Sequence, residues 1–187
     1  MRKLSSFTFI TLNGYFKGLN EDTSWHHQLN SKEAASYAEQ SSSSGNTLLF
    51  GRKTYEMMYS FWPTPQAAEL FPTVAGNMNK AAKIVFSNTL KDALWENSSL
   101  ISGNIVEQVK SLKQTPGSDL TILGSGSIVS QFSDAGLIDE YQIMLDPVAI
   151  GKGTSIFGDI QQNLNLKLIS SKVFEKDGIV LLHYQKR

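Results

Sequence analysis

The sequence has no cysteine. That excludes disulfides, thiolate nucleophiles and Cys-ligated zinc, and it agrees with a reducing compartment, so the expected location is cytoplasmic. Nor is there an excess of either charge, because 17 Lys and Arg balance 17 Asp and Glu across 187 residues. No global field therefore draws the chain to nucleic acid or to an acidic membrane, and any anion site has to be local. No segment is apolar for long enough to span a membrane. The basic start MRKLSSFTFITLNGYF is interrupted by Ser5, Ser6, Thr8 and Asn13, and it reads as a first strand rather than a signal peptide. With 41% hydrophobic and 18% charged residues, the composition is that of a globular protein. We expect a single domain over residues 1–187, burying about 70% of its unfolded surface. The expected partner is a small-molecule substrate.

What is present centres on Thr47 to Ser60, TLLFGRKTYEMMYS. Leu48-Leu49-Phe50 suits a short buried strand, Gly51 permits a tight turn, and Arg52-Lys53-Thr54 falls in the first turn of the next helix. Free N–H groups at a helix start favour a phosphate, an Arg fork grips one bidentately, and Lys and Thr serve a second. An ordinary turn with a solvated basic pair accounts for this stretch equally well when it is taken alone.

The same layout recurs. Lys83 to Phe86 reads as a strand ending in Ser87-Asn88-Thr89, which is either a phosphate contact or a plain polar turn. Leu120 to Leu123 reads as another strand, followed by Gly124-Ser125-Gly126-Ser127 and a helix from Ile128 to Ala135 that stops at Gly136. Its small side chains would let a pyrophosphate approach, although the glycines do not complete a dinucleotide fingerprint. Elsewhere, Ser31 to Gln40 is helix-favouring, Phe61-Trp62-Pro63-Thr64-Pro65 stops a helix, and Gln66 to Lys80 is irregular or shortly helical. Asn104 and Glu107 are in capping-box register for a helix to Lys113. Ile138 to Leu145 is a strand candidate, and Tyr15 to Asn30 reads as a long loop. Leu164 to Glu175 and Ile179 to Gln185 alternate and form a hairpin. The expected fold is α/β, with a mixed central sheet, helices on both faces and a C-terminal antiparallel hairpin.

Taken in this order, LNGYF, LLFGRKTYEMM, VFSNTL, LGSGSIVSQF and LIDEYQIMLDPVAIGKGTSIF resemble the dihydrofolate reductase superfamily. They are most similar to its bacterial branch, which includes the reductase domain of the bifunctional riboflavin-biosynthesis deaminase-reductase. The resemblance implies a three-layer dihydrofolate reductase-like fold and NADPH as cofactor. It implies Arg52 and Ser87, with Asn88 beside it, at the adenosine 2′-phosphate, and Gly51, Lys53 and Thr54 at the pyrophosphate. The turn Gly124, Ser125, Gly126, Ser127 and Ile128 would cover the pyrophosphate and nicotinamide, with a Gly124-Ser125 peptide that the family allows to be cis. Asn13, Gly14 and the loop to Trp25 would border the substrate, and Lys152 in GKGTS is either a phosphate holder or an exposed turn lysine. Homodimerisation through the C-terminal strands is implied as well.

Two departures bear on chemistry. Asn13 stands where relatives usually carry Asp. Ala35 falls near the helix position at which dihydrofolate reductases proper place a proton-donating carboxylate, which leaves Glu33 as the nearest acid and the only catalytic candidate. The implied function is NADPH-dependent hydride delivery to a small heterocyclic or ribosyl-linked substrate, similar to 5-amino-6-(5-phosphoribosylamino)uracil reductase. The alternatives are an inactive dinucleotide-binding protein, or a dihydrofolate reductase with a displaced acid. The deaminase half is absent, since there is neither Cys nor an H-x-E motif. No metal is expected: the side chains of adjacent His26 and His27 diverge, and His183 lies in an alternating strand.

Overall fold

The computed structural model describes residues 1–26 and 31–187. Its strands are β1 (Leu4–Thr11), β2 (Tyr15–Gly18), β3 (Thr47–Gly51), β4 (Lys83–Phe86), β5 (Ser98–Ile101), β6 (Leu120–Leu123), β7 (Glu140–Asp146), β8 (Gly153–Ser155), β9 (Leu166–Phe174) and β10 (Ile179–Lys186). The helices are α1 (Lys32–Ser42), α2 (Arg52–Phe61), α3 (Pro65–Leu70), α4 (Pro72–Lys80), α5 (Ile105–Gln114) and α6 (Gly126–Asp134).

Eight strands form one sheet in the order β5-β4-β3-β6-β1-β7-β10-β9. The first six are mutually parallel, and β10 and β9 add the antiparallel hairpin at one edge. The helix starts follow from their capping residues: Ser31, Thr64 and Asn104 each accept the N–H three residues on. The capping box at Asn104 is only half formed, because the Glu107 carboxylate pairs with Lys110. Pro65 and Pro72 each open a helix, since an absent N–H costs nothing there. The stretch from Gln66 to Lys80 is thus two short helices.

Period-two alternation along the strands sorts the core into two faces. Leu49, Ile84, Phe86 and Ile122 join Val109 of α5 and Val129 and Phe132 of α6 on one face. Leu48, Phe50 and Val85 point the other way, onto Tyr55 of α2, Met78 of α4 and Trp95. On that second face a separate cluster joins Ala34 and Tyr37 of α1 to Phe7, Phe9, Met144 and Leu181. Helices therefore cover both faces, and on the second face two clusters stand apart.

Sequence patterning missed three strands, β2, β5 and β8. β5 has few apolar residues and is held by parallel pairing to β4. The supposed loop from Tyr15 begins with β2, which pairs with the distant β8. Gly153 is needed in that pairing, because a Cβ there would sit 2.4 Å from the Lys17 carbonyl oxygen.

Lys83 is 1% exposed in β4. Its Nζ donates to the carbonyls of Asn79, Ala81 and Glu96 at 2.8–3.1 Å and lies 4.4 Å from the centre of the Trp95 ring. Burial pushes the ammonium down from 10.5 to about 8. The charged form therefore costs the fold about 3 kcal/mol at neutral pH even with these partners, but losing the donor would leave three buried carbonyls unsatisfied, at about 1–3 kcal/mol each. Lys83→Met is expected to lower stability by about 2–4 kcal/mol in urea denaturation. Between about pH 8 and 10.5 the unfolded chain retains a proton that the folded chain has lost. Stability of the parent protein should therefore rise with pH through that window, and the Met variant should lack this rise.

Candidate active site

A cleft of about 1450 Å³ opens on the second face of the sheet. It lies where α1 and α2 leave Thr121 and Leu123 of β6 and Ser5, Phe7 and Phe9 of β1 uncovered. It extends to the carboxyl ends of β3 and β6, the edge at which open parallel sheets bind ligands.

At that edge two helix starts are tied together. Gly51 is the N-cap of α2 and has no side chain to satisfy the first-turn N–H groups. Its own N–H donates to Ser125 Oγ at 2.9 Å. Ser125 is the N-cap of α6, is 6% exposed, and donates onward to the Leu123 carbonyl. Thr54 packs on Gly124, since a Cβ added there would lie 3.5 Å from Thr54 Cγ2. The Gly124-Ser125 peptide is trans, and the turn is made instead by positive φ at both residues, +58° and +62°. Gly126 is required by Phe16 of β2, which would be 2.6 Å from an added Cβ. Ile128 is core, packed towards Gly51.

Gly51, Arg52, Lys53, Thr54, Gly124, Ser125, Gly126, Ser127 and Trp25 thus line one cleft. The cations among them are engaged: Arg52 holds Glu56 at 2.9 Å, and Lys53 and Lys17 share Glu21 at 2.8 and 2.6 Å. Ser87 and Asn88 follow β4 next to the Gly51 end of β3 but serve their own turn. Ser87 Oγ accepts the N–H of Leu90, and Asn88 Oδ1 accepts that of Gly103.

Other expected site residues are not brought into the cleft. Asn13 Nδ2 donates to the Ile150 carbonyl, and its Oδ1 accepts from Thr11, so it staples the Gly14 turn to the chain after β7. Lys152 precedes β8 and is exposed on that strap. Glu33 pairs with Lys172 of β9 at 3.1 Å. Ala35 does face the cleft and carries no exchangeable proton. His27 lies outside the described residues.

One feature escaped the sequence reading. His26 lines the cleft, its ring centre 3.8 Å from that of Phe9, with Nδ1 3.1 Å from the buried carboxylate of Asp146. The two are 120 residues apart, and nothing in the local pattern links them.

The donor set fits a dinucleotide phosphate group: two uncapped helix starts face one cleft, next to a Gly124 conformation that side chains rarely adopt. The sequence profile described as RibD C-terminal domain matches residues 2–180. The chain belongs to that family. The protein YyaP of Bacillus subtilis is 28% identical over 175 residues, 94% of this chain and 90% of YyaP. A putative riboflavin biosynthesis protein from Shewanella sp. PV-4 superposes with a TM-score of 0.75 at 22% identity, covering 99% of both chains. Dihydrofolate reductase from Enterococcus faecalis, complexed with NADP(H) and RAB-propyl, superposes with a TM-score of 0.65 at 15% identity over 99% of this chain and 96% of the other. The fold is dihydrofolate reductase-like, and membership in the RibD C-terminal domain family supports a reductase-type function. Among the described residues no helix is long and apolar enough to cross a membrane.

The stitch between the two helix starts can be tested. Ser125→Ala keeps the positive φ and removes the acceptor for Gly51 N–H, and should destabilise by about 1–3 kcal/mol. Ser125→Gly loses the same bond but relieves the left-handed strain, so it should be the milder of the two by about 1 kcal/mol in thermal unfolding.

Proposed function

We propose that the protein is an NADPH-dependent reductase delivering hydride to a small heterocyclic or ribosyl-linked substrate, in or near riboflavin or pterin metabolism. Its reaction would be similar to that of 5-amino-6-(5-phosphoribosylamino)uracil reductase. The observation that carries this reading is the pair of uncapped helix starts joined by Ser125 at the mouth of an otherwise apolar cleft. The Enterococcus relative that binds NADP(H) shares the fold and supports the choice of cofactor. A bound reduced nicotinamide would supply the hydride. The chain's own residues would bind, orient and exclude water: Arg52 would hold the 2′-phosphate, and Lys53, Thr54 and the Gly124–Ser127 turn would hold the pyrophosphate.

Occupancy requires exchange of partners. Glu56 must release Arg52 to a phosphate, and Glu21 must share Lys53. These are solvent-accessible pairs worth less than about 1 kcal/mol each, so a charge-assisted phosphate contact of about 1.5–3 kcal/mol displaces them. The rest of the cleft, with Phe9, Trp25, Tyr37, Phe61, Trp62 and Phe71, offers flat apolar surface. That composition favours a heterocyclic ring over a phosphorylated sugar. We also propose homodimerisation along β9, the sheet edge, where Leu168, Ile169 and Val173 are exposed. Light scattering that returns the 20.7 kDa mass of one chain at micromolar concentration would remove the dimer.

Titration with NADPH and with NADH, followed by nicotinamide fluorescence, tests the cofactor reading. NADPH should bind more tightly, and Arg52→Ala should weaken it by roughly tenfold to a hundredfold with little effect on NADH. Glu21→Gln, which frees Lys17 and Lys53, should tighten both. Failure to bind either dinucleotide sinks the reductase reading, whereas binding without turnover on any carbonyl or imine favours a catalytically silent dinucleotide-binding protein.

A further inference from the structure

We propose that His26, held by Asp146, is the group that gives the substrate its proton; this rests on the reductase reading above. Hydride addition to a C=O or C=N carbon leaves negative charge on the neighbouring heteroatom, and a positioned acid must neutralise it. The helix position expected to carry that acid is occupied by Ala35, and Glu33 is drawn away to Lys172. The other acids on the cleft wall serve poorly. Hydrogen bonds from Lys17 and Lys53 hold the Glu21 carboxyl below the ordinary carboxylate range, and Glu56 is bound to Arg52. Glu39 and Asp159 are exposed to solvent. The Tyr37 hydroxyl donates to Gln142 Oε1 at 3.1 Å, and burial pushes it up from an already high value.

His26 differs from all of these. Asp146 ends β7, a strand enclosed by β1 and β10, and is 3% exposed. Its carboxylate oxygens lie 3.1 and 3.3 Å from Nδ1 and have no other hydrogen-bond partner among the described residues. A carboxylate only accepts, so Nδ1 carries a hydrogen, and a buried carboxylate without a second donor offsets the charge of an imidazolium. The ring is fixed from three sides, by Phe9 of β1, by Trp25 of its own loop and by Asp146 of β7. Of these three, only Asp146 is charged. The main-chain N–H of His26 is anchored on the Thr23 carbonyl at 3.0 Å. Nε2 is left as the nitrogen that exchanges a proton. In the proposed step the Nε2–H bond breaks as the heteroatom–H bond forms, and the adjacent carbon receives hydride from the reduced nicotinamide, which is oxidised. The neutral imidazole then regains its proton from water. Asp146 acts as a positioning residue, fixing the tautomer in the way carboxylates fix catalytic histidines elsewhere.

A purely structural pair would pin the loop to the sheet and hold the same tautomer, so the imidazole state can overturn the proposal and turnover separates it from a structural role. Long-range proton–nitrogen NMR of the imidazoles, scanned from about pH 5 to pH 9, checks the required protonation pattern without any substrate. The proposal expects Nδ1 of His26 to stay protonated throughout while Nε2 alone gains and loses its hydrogen. Asp146→Asn should spread the neutral form over both tautomers. A ring that keeps hydrogen on Nε2 when neutral, or that never titrates, overturns the proposal. In parallel, His26→Gln is assayed with NADPH against nitrobenzaldehyde and dihydrobiopterin. It should retain NADPH affinity and lose about 100-fold or more in kcat, with the solvent deuterium isotope effect altered. Turnover by His26→Gln at the parental rate overturns the proposal while leaving the reductase reading intact, and loss of NADPH binding by the parent protein overturns the reductase reading itself. A parent protein that binds NADPH but turns over neither probe also overturns the proposal, since no proton transfer is then left for His26 to perform.

Discussion

The site depends on one hydrogen bond, from the N–H of Gly51 to Ser125 Oγ. Parallel strands bring their carboxyl ends to one edge, but neighbouring ends do not by themselves place two helix starts at one mouth of the cleft. Ser125 does this by belonging to one turn and accepting from the other. The cost is a non-glycine residue at φ +62°, about 1–2 kcal/mol of left-handed strain. Because the hydroxyl also donates to the Leu123 carbonyl two residues earlier, the turn that receives the Gly51 N–H is itself held to the end of β6.

The cleft itself follows from how the core is divided. On one face α5 and α6 cover the sheet with a continuous apolar cluster. On the other, the residues gathered under α2 and α4 and those gathered under α1 form separate clusters, and β6 and β1 between them have no helix above. Phe7 and Phe9 pack on the α1 cluster, on each other and, for Phe9, on His26, and still line the cleft, apolar surface that a flat ligand would gain from burying. The β2–β8 ribbon closes one end of this gap, bringing Phe16 onto Gly126 and Glu21 onto Lys53.

Much of this was legible in the residues because the information is local. Leu48-Leu49-Phe50 before Gly51, the glycine-serine turn after Leu123, and the alternation on either side of Gly178 each specify an element and its limits within a few positions. Legibility failed where long-range pairing overrides local pattern. β5 is short and largely polar and exists because β4 offers it an edge. Asn13 looked like a substrate contact from its place in LNGYF, but its amide is consumed by the Ile150 backbone. The assembly of Arg52, Thr54 and Gly124 around one cleft was readable from motif order, whereas the commitment of Arg52 to Glu56 was not, although the i,i+4 spacing that permits it is visible in RKTYE.

The His26–Asp146 pair shows why motif order is a poor guide to proton chemistry in this fold. A carboxylate on α1 needs only a helix register to reach the cleft, so its absence at Ala35 is evident from sequence. A histidine in a loop needs a second residue to fix it, and here that residue comes from the end of a strand 120 positions away. Asp146 is among the few buried charges of the chain, and leaving a carboxylate with a single partner costs several kcal/mol unless that partner is charged. A buried carboxylate in that position, with the ring on the cleft wall as its partner, points to a requirement set by the cleft as well as by the fold.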